Sequence, residues 1–183
     1  MQNPGNGMPQ SAGKTMDADT LEYAQKIFEL VRSGDTEILG PLFEKGLPAN
    51  LRNHKGDSLI MLASYLGHFG TAKLLLENGA NPEICNDNGQ TPIAGAAYKG
   101  DLAMVELLLN HGANVEGMSP DGKTALTFAA MFNRTEIVSL LLARGANIHA
   151  RNSKGLSALD SAHAMGATET AAQLEKLINP TAS

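Results

Sequence analysis

The sequence predicts an all-α repeat solenoid, a stack of short helix-turn-helix units joined by β-turn or hairpin loops. Three observations carry this. Glycines recur every 33 residues in three separate ladders: Gly56, Gly89, Gly122 and Gly155; Gly46, Gly79, Gly112 and Gly145; and Gly34, Gly67, Gly100 and Gly166, with Asn133 filling the one remaining slot. The apolar pattern keeps the same period, since AKLLLENGAN (72–81), VELLLNHGAN (105–114) and VSLLLARGAN (138–147) align without a gap. So do the shorter segments before them, SLIMLASYLG (58–67), TPIAGAAYKG (91–100), TALTFAAMFN (124–133) and SALDSAHAMG (157–166). A fixed period of this length is the mark of a stacked array rather than of one globular core.

The elements follow in order. Residues 1–18 are rich in Gly, Pro, Asn, Gln and Ser and read as a disordered tail, with Met16 as an alternative start. They lack the apolar core of a secretory signal. Residues 19–178 read as a single domain of five units: 20–52, 53–85, 86–118, 119–151 and 152–178, followed by a short tail, 179–183. The first unit is a cap, because its helix 21–33 carries Glu22, Gln25, Lys26, Glu29 and Arg32, a polar outer face of the kind a terminal repeat needs. Pro41 falls inside its second helix and predicts a kink or a late helix start.

In the later units Ser58, Thr91, Thr124 and Ser157 are placed to cap the first helix. Pro92 suits the first helical position, where its missing N–H costs nothing. Gly67, Gly100, Gly166 and Asn133 stop that helix in a left-handed conformation. A second helix with Leu-Leu-Leu at its centre ends at a Gly-Ala-Asn turn. The last unit is again a cap, with Thr168, Glu169, Gln173, Glu175 and Lys176 on its final helix. No single helix pair buries its apolar face alone, so the units must stack.

This grammar resembles that of the ankyrin-repeat family, whose pattern runs Gly-x-Thr-Pro-Leu-His-x-Ala-Ala, then Gly-His or Gly-Asp, Leu-Leu-Leu and Gly-Ala-Asn. The fullest copy is Gly89–Asn114, and the resemblance covers 53–178, or about 20–178 with the degenerate first unit. One departure runs through every copy. The tetrapeptide appears as Ser58–Met61, Thr91–Ala94, Thr124–Thr127 and Ser157–Asp160, always without its histidine. The resemblance implies that this histidine ties neighbouring turns, so a less rigid array is expected. Gly95, inside a helix, weakens the third unit by up to roughly 1 kcal/mol relative to Ala.

Little in the chain points to chemistry. The net charge of -5 disfavours a nucleic-acid backbone as partner, because such footprints are usually basic. No apolar run approaches the roughly 20 residues of a membrane span. The single cysteine, Cys85, makes neither an intramolecular disulfide nor a Cys-rich zinc site; it fits a reducing compartment and equally many secreted bacterial proteins, and a cytoplasmic location is expected. It lies at a turn with no histidine or lysine adjacent. GKT at 13–15 lacks the upstream glycine of a phosphate loop, and GKT at 122–124 falls inside the repeat, where its Gly and Thr already have structural jobs. Among His54, His68, His111, His149 and His163 no two share a helix face at metal-ligand spacing. Asp160 and His163 are three apart and could meet on a helix; with His68 they define the alternative of a small enzyme or metal-dependent switch. The reading adopted assigns no catalytic, cofactor-binding or metal-binding residue.

What the family resemblance implies is binding to another protein, through a concave groove made by the first helices and the turn tips. The two residues before each helix stop are Tyr65 and Leu66, Tyr98 and Lys99, Met131 and Phe132, and Ala164 and Met165. Scaffold packing does not require these to be apolar. Tyr65, Leu66, Tyr98, Lys99, Met131, Phe132 and Met165 therefore form the expected partner-binding stripe, since aromatic residues are enriched at interface hot spots. His54 and Lys55, Asn88 and Gln90, and Asp121 and Lys123 form its polar rim, with Met118 and Arg151 just before two of the tips. The expected partner is a protein that is inhibited, escorted or scaffolded, with no nucleic acid or membrane involved. A monomer is expected, and a self-associating structural array is the alternative.

Overall fold

The computed structural model describes residues 18–180. The expected N-terminal tail, Ala18 excepted, and residues 181–183 lie outside them. Ten helices make up the described chain: α1 (Ala18–Ser33), α2 (Thr36–Glu44), α3 (Leu59–Leu66), α4 (Phe69–Glu77), α5 (Pro92–Lys99), α6 (Leu102–Asn110), α7 (Ala125–Met131), α8 (Thr135–Ala143), α9 (Ala158–Met165) and α10 (Thr168–Ile178). They form five successive pairs in an all-α solenoid, and no strand occurs among the described residues.

Local chemistry sets the helix ends. The hydroxyls of Ser58, Thr91, Thr124 and Ser157 accept from the backbone N–H of Met61, Ala94, Thr127 and Asp160. In α7 and α9 the third helical residue returns the bond, so Thr127 and Asp160 complete capping boxes where the family pattern has histidine. Gly67, Gly100 and Gly166 close their helices in the left-handed region, and Asn133 adopts it with φ 55° just after the cap Phe132.

The late start expected at Pro41 does not occur. Asp35 caps α2 by accepting from Ile38 N–H, and the helix runs through Pro41 to Glu44. Leu39 and Phe43 anchor it in the core, while Glu37 and Pro41, the ends of the missing hydrogen bond, are exposed, where water can substitute.

The two helical layers differ in side-chain size. Ala63, Ala96, Ala97, Ala129, Ala130 and Ala162 lie fully buried in the first helices. Leu75, Leu76, Leu107, Leu108 and Leu141 fill the second. Helix spacing follows side-chain size at the contact. Accordingly α3, α5, α7 and α9 approach one another more closely along the stack than α4, α6, α8 and α10 do. The stack therefore bends toward its first helices, which line the concave side.

Two ladders tie the units. At one end the N–H of each Gly-Ala-Asn asparagine reaches a side chain of the preceding unit: Asn81 to Asn50 Oδ1 at 2.7 Å, Asn114 to Glu83 Oε1 at 2.9 Å and Asn147 to Glu116 Oε1 at 2.7 Å. At the turn tips Asp87 N–H donates to Lys55 C=O at 3.2 Å and Ser153 N–H to Asp121 C=O at 2.9 Å. The rung between them is missing, because its donor position is Pro120, which has no N–H. The Pro120 ring lies instead against Gly89 (φ 69°), where an added Cβ would stand 2.4 Å from Pro120 Cγ.

Candidate functional site

The concave face is built from the last turn of each first helix, placed there by the caps at one end and the left-handed stops at the other. Tyr65, Leu66, Tyr98 and Met165 stand out from it, each between 41% and 51% exposed. Lys99 is also exposed, whereas Met131 and Phe132 are half-buried. The stripe is not a row of independent side chains. Tyr98 meets Phe132 of the next unit edge to face, centroids 4.8 Å apart at 82°. Lys99 Nζ sits 5.0 Å from the centre of the Tyr65 ring in the preceding unit. Both contacts fix rings that would otherwise sample several rotamers.

Between these rings lies a cavity of about 310 Å³ that spans three units. Ala94 and Gly95 form its floor, and Met61, Tyr65, Tyr98 and Phe128 its walls. Gln90, Thr91 and Ser119 border it on the turn side. Its origin is visible in the repeat register: Leu62, Gly95 and Phe128 occupy equivalent positions. Two units place a large side chain there and the middle one places none. Met61, Ala94, Gly95 and Phe128 were not among the residues expected to bind, because the expectation followed the exposed column one helical turn away. Comparing Leu62, Gly95 and Phe128 across units would have found the gap.

The rim divides into free and committed residues. His54, Lys55 and Asn88 are exposed at the tips, and Met118 is 58% exposed. Gln90 Oε1 accepts from Asn86 Nδ2 at 2.9 Å. Asp121 is held in its own turn by the Lys123 ammonium and by Ser119 Oγ at 2.5 Å. These two donors, Lys123 first, pull the Asp121 carboxyl down to about 2. Arg151, expected at the groove, is tied back: it donates to Gly155 C=O at 2.6 Å and to Asp160 Oδ2 at 3.1 Å.

The residues of the catalytic or metal alternative do not assemble. Asp160 accepts from Ser157 N–H at 2.9 Å and from Ser157 Oγ at 2.8 Å, bonds that lower its pKa, with Arg151 adding to them. His163 pairs instead with Glu175, Nε2 to Oε1 3.0 Å. His68 lies far along the stack, its ring against Gly34 and its Nε2 2.8 Å from Arg32 C=O. Among the described residues no group of three His, Cys, Asp or Glu side chains could hold a metal ion. Cys85 is half-buried, its thiol 3.5 Å from Glu83 C=O.

Comparison with known proteins agrees with this architecture. A family model described as ankyrin repeats (3 copies) matches residues 27–119 and 96–182. An ankyrin repeat protein of Pseudomonas aeruginosa is 53% identical over 67 residues, which is 37% of this chain and 39% of the relative. The match thus spans about two fifths of that relative's length.

Proposed function

The chain belongs to the ankyrin-repeat family, whose repeats generally serve as protein–protein interaction modules, and from that premise we propose that it binds a specific protein through its concave face without catalysing a reaction. The observation that carries this is the ring-and-cavity arrangement of Tyr65, Tyr98 and Phe132. These side chains leave apolar surface exposed that the scaffold has no need to expose. They are also pre-ordered by contacts with their neighbours, which lowers the entropy lost on binding. The tips bearing His54, Lys55, Asn88, Gln90, Asp121 and Lys123 form a polar rim, and Met118 extends the apolar surface.

Occupation of a partner's surface would inhibit, escort or scaffold it. The module acts as a monomer in the cytoplasm, a setting consistent with its one cysteine and its acidic balance. No helix of the described residues is long and apolar enough to cross a membrane. The test is capture of partners on the immobilised chain, identification by mass spectrometry, and titration of the purified partner. Joint replacement of Tyr65, Tyr98 and Phe132 by alanine is expected to weaken binding at least about thirtyfold, the scale of one lost hot spot, with the helical circular dichroism intact. Unchanged affinity refutes the groove assignment. Dimerisation in light scattering that is lost with the same three substitutions would show that the stripe pairs two copies of the chain.

A further inference from the structure

The groove reading says that a protein binds, and the chemistry around the cavity says of what kind. We propose, building on that reading, that the partner presents an apolar or aromatic side chain to the Ala94–Gly95 cavity, with a carboxylate beside it on Lys99.

The cavity excludes charge. Its floor is two of the smallest residues, and its walls are a thioether and three aromatic rings. The hydroxyls on its border are already engaged: Thr91 Oγ1 accepts from Ala94 N–H at 3.3 Å, and Ser119 Oγ bonds Asp121 and Lys123 C=O. A charged or amide group entering here would lose its water and find few partners, at a cost of several-fold or more in affinity. A ring or branched aliphatic chain gains by the same desolvation.

Aromatic walls can also receive a cation, but this site is already supplied with one. The Lys99 ammonium lies over the ring of Tyr65, a residue that also lines the cavity, so a second cation on that ring would face like charge. Lys99 has no carboxylate partner among the described residues, and neither does Arg134, whose guanidinium packs over the Gly100 backbone beside it. Neither of the nearby acids forms an ion pair with Lys99. Asp101 caps α6 by accepting from Met104 N–H at 3.0 Å, and Asp121 is paired with Lys123. At the N-terminal end of the same face Arg32 stacks over Phe28, 6.0 Å from its centre, also without an ion pair. The whole chain carries -5, yet Lys99, Arg134 and Arg32 have no ion pair among the described residues. Their complement is an acidic segment with an apolar anchor.

The probe is a peptide set: acetyl-Ser-Glu-Phe-Glu-Ser-amide, the same peptide with lysine for both glutamates, and the same with alanine for phenylalanine. Each is titrated to millimolar concentration into the isotope-labelled full chain, following amide shifts by NMR. The acidic phenylalanine peptide is expected to shift Ala94 and Gly95 and to bind at least about fivefold better than either control. Gly95→Leu, which restores what Leu62 supplies at the equivalent position, should abolish those shifts. Lys99→Glu should leave the cavity open and reverse the charge preference toward the lysine peptide. Equal or better binding of the lysine peptide to the native chain, shifts away from Ala94 and Gly95, or no shift with any peptide overturns the proposal. If the natural partner is lost on alanine replacement of the three rings but is indifferent to Gly95→Leu and Lys99→Glu, the groove reading stands and this assignment falls. If the three-ring variant keeps its partner, the groove reading falls and this assignment falls with it.

Discussion

Gly95→Ala is the substitution in which scaffold and site make opposite demands, and its effect can be worked from the structure. Gly95 lies in the middle of the eight-residue helix α5 with ordinary helical geometry. A Cβ built there meets nothing nearer than Tyr65 Cδ2 at 3.6 Å, an ordinary van der Waals contact. No strain opposes the change, so the helix-propensity term dominates, and Ala should stabilise by about 0.8–1 kcal/mol. For a domain of this size that corresponds to a rise of roughly 2–4 °C in the melting temperature. Gly89→Ala supplies the contrast. Its φ of 69° is left-handed, and its Cβ would stand 2.4 Å from Pro120 Cγ. The left-handed backbone alone costs roughly 1–2 kcal/mol, and displacing the proline ring adds to it, so a fall of about 4 °C or more is expected. Thermal and urea unfolding followed at 222 nm would read both. A repeat array can depart from two-state behaviour, so the decisive observation is the sign. A destabilising Gly95→Ala, or a harmless Gly89→Ala, would refute this account of the third unit.

Other substitutions test separate links. Asp101→Ala removes the cap on α6 and should cost about 1 kcal/mol in the same unfolding experiments, with Asp101→Asn recovering most of it. Arg151→Ala should leave partner affinity within about twofold, the scale of an exposed ion pair, because this arginine bonds its own turn rather than the groove. Asp121 has a folded pKa near 2 against an ordinary value of 3.8. Its depressed pKa makes its contribution fully present above about pH 4 and lost as the pH falls toward 2. Asp121→Asn should therefore be less stable than the native chain at neutral pH, with the gap closing between pH 4 and 2 in urea titrations. The carboxylate is 47% exposed, so solvent screening keeps the gap small.

Most of the scaffold was legible in the sequence because each structural job is repeated. A serine or threonine cap, a left-handed stop and a leucine run recur at one spacing, so each copy checks the others. What escaped were features belonging to one copy or to two at once. Pro41 suggested a late start from its own chemistry, but the Asp35 cap and the burial of Leu39 and Phe43 outweigh one lost hydrogen bond at an exposed position. Arg151 read as a groove residue by its place before a tip, and its bond to Asp160, nine positions on, was not legible from that place. Asp160 and His163 read as a pair from their spacing, yet each has a better partner off its own helix face, Arg151 for one and Glu175 for the other. The loss of the family histidine predicted a looser array. The side chains of Asn50, Glu83 and Glu116 accept from asparagine N–H groups 31 residues further on, ties between units that a motif comparison does not reveal.

Several exceptions to the period fall in the third unit and the start of the fourth. Residues that keep it have structural work: the buried alanines bring the first helices together, and the leucines hold the second helices apart. That difference in size bends the stack and makes a concave face before any partner is considered. Four residues of the third and fourth units break the pattern. Ala94 stands where the other copies have Met61, Thr127 and Asp160, and Gly95 where they have Leu62, Phe128 and Ser161. Lys99 alone puts a charge in a column otherwise made of Leu66, Phe132 and Met165. Pro120 removes one rung of the turn-tip ladder, and its neighbour Ser119 borders the cavity. Each of these changes costs the scaffold something: packing volume, helix propensity, an unpaired charge, a hydrogen bond. A loss spread at random over the array would be ordinary drift. Two of the four, Ala94 and Gly95, line one cavity between two tyrosines, which is the pattern the proposed site requires, because function in a repeat protein has to be written in the positions that the repeat does not need.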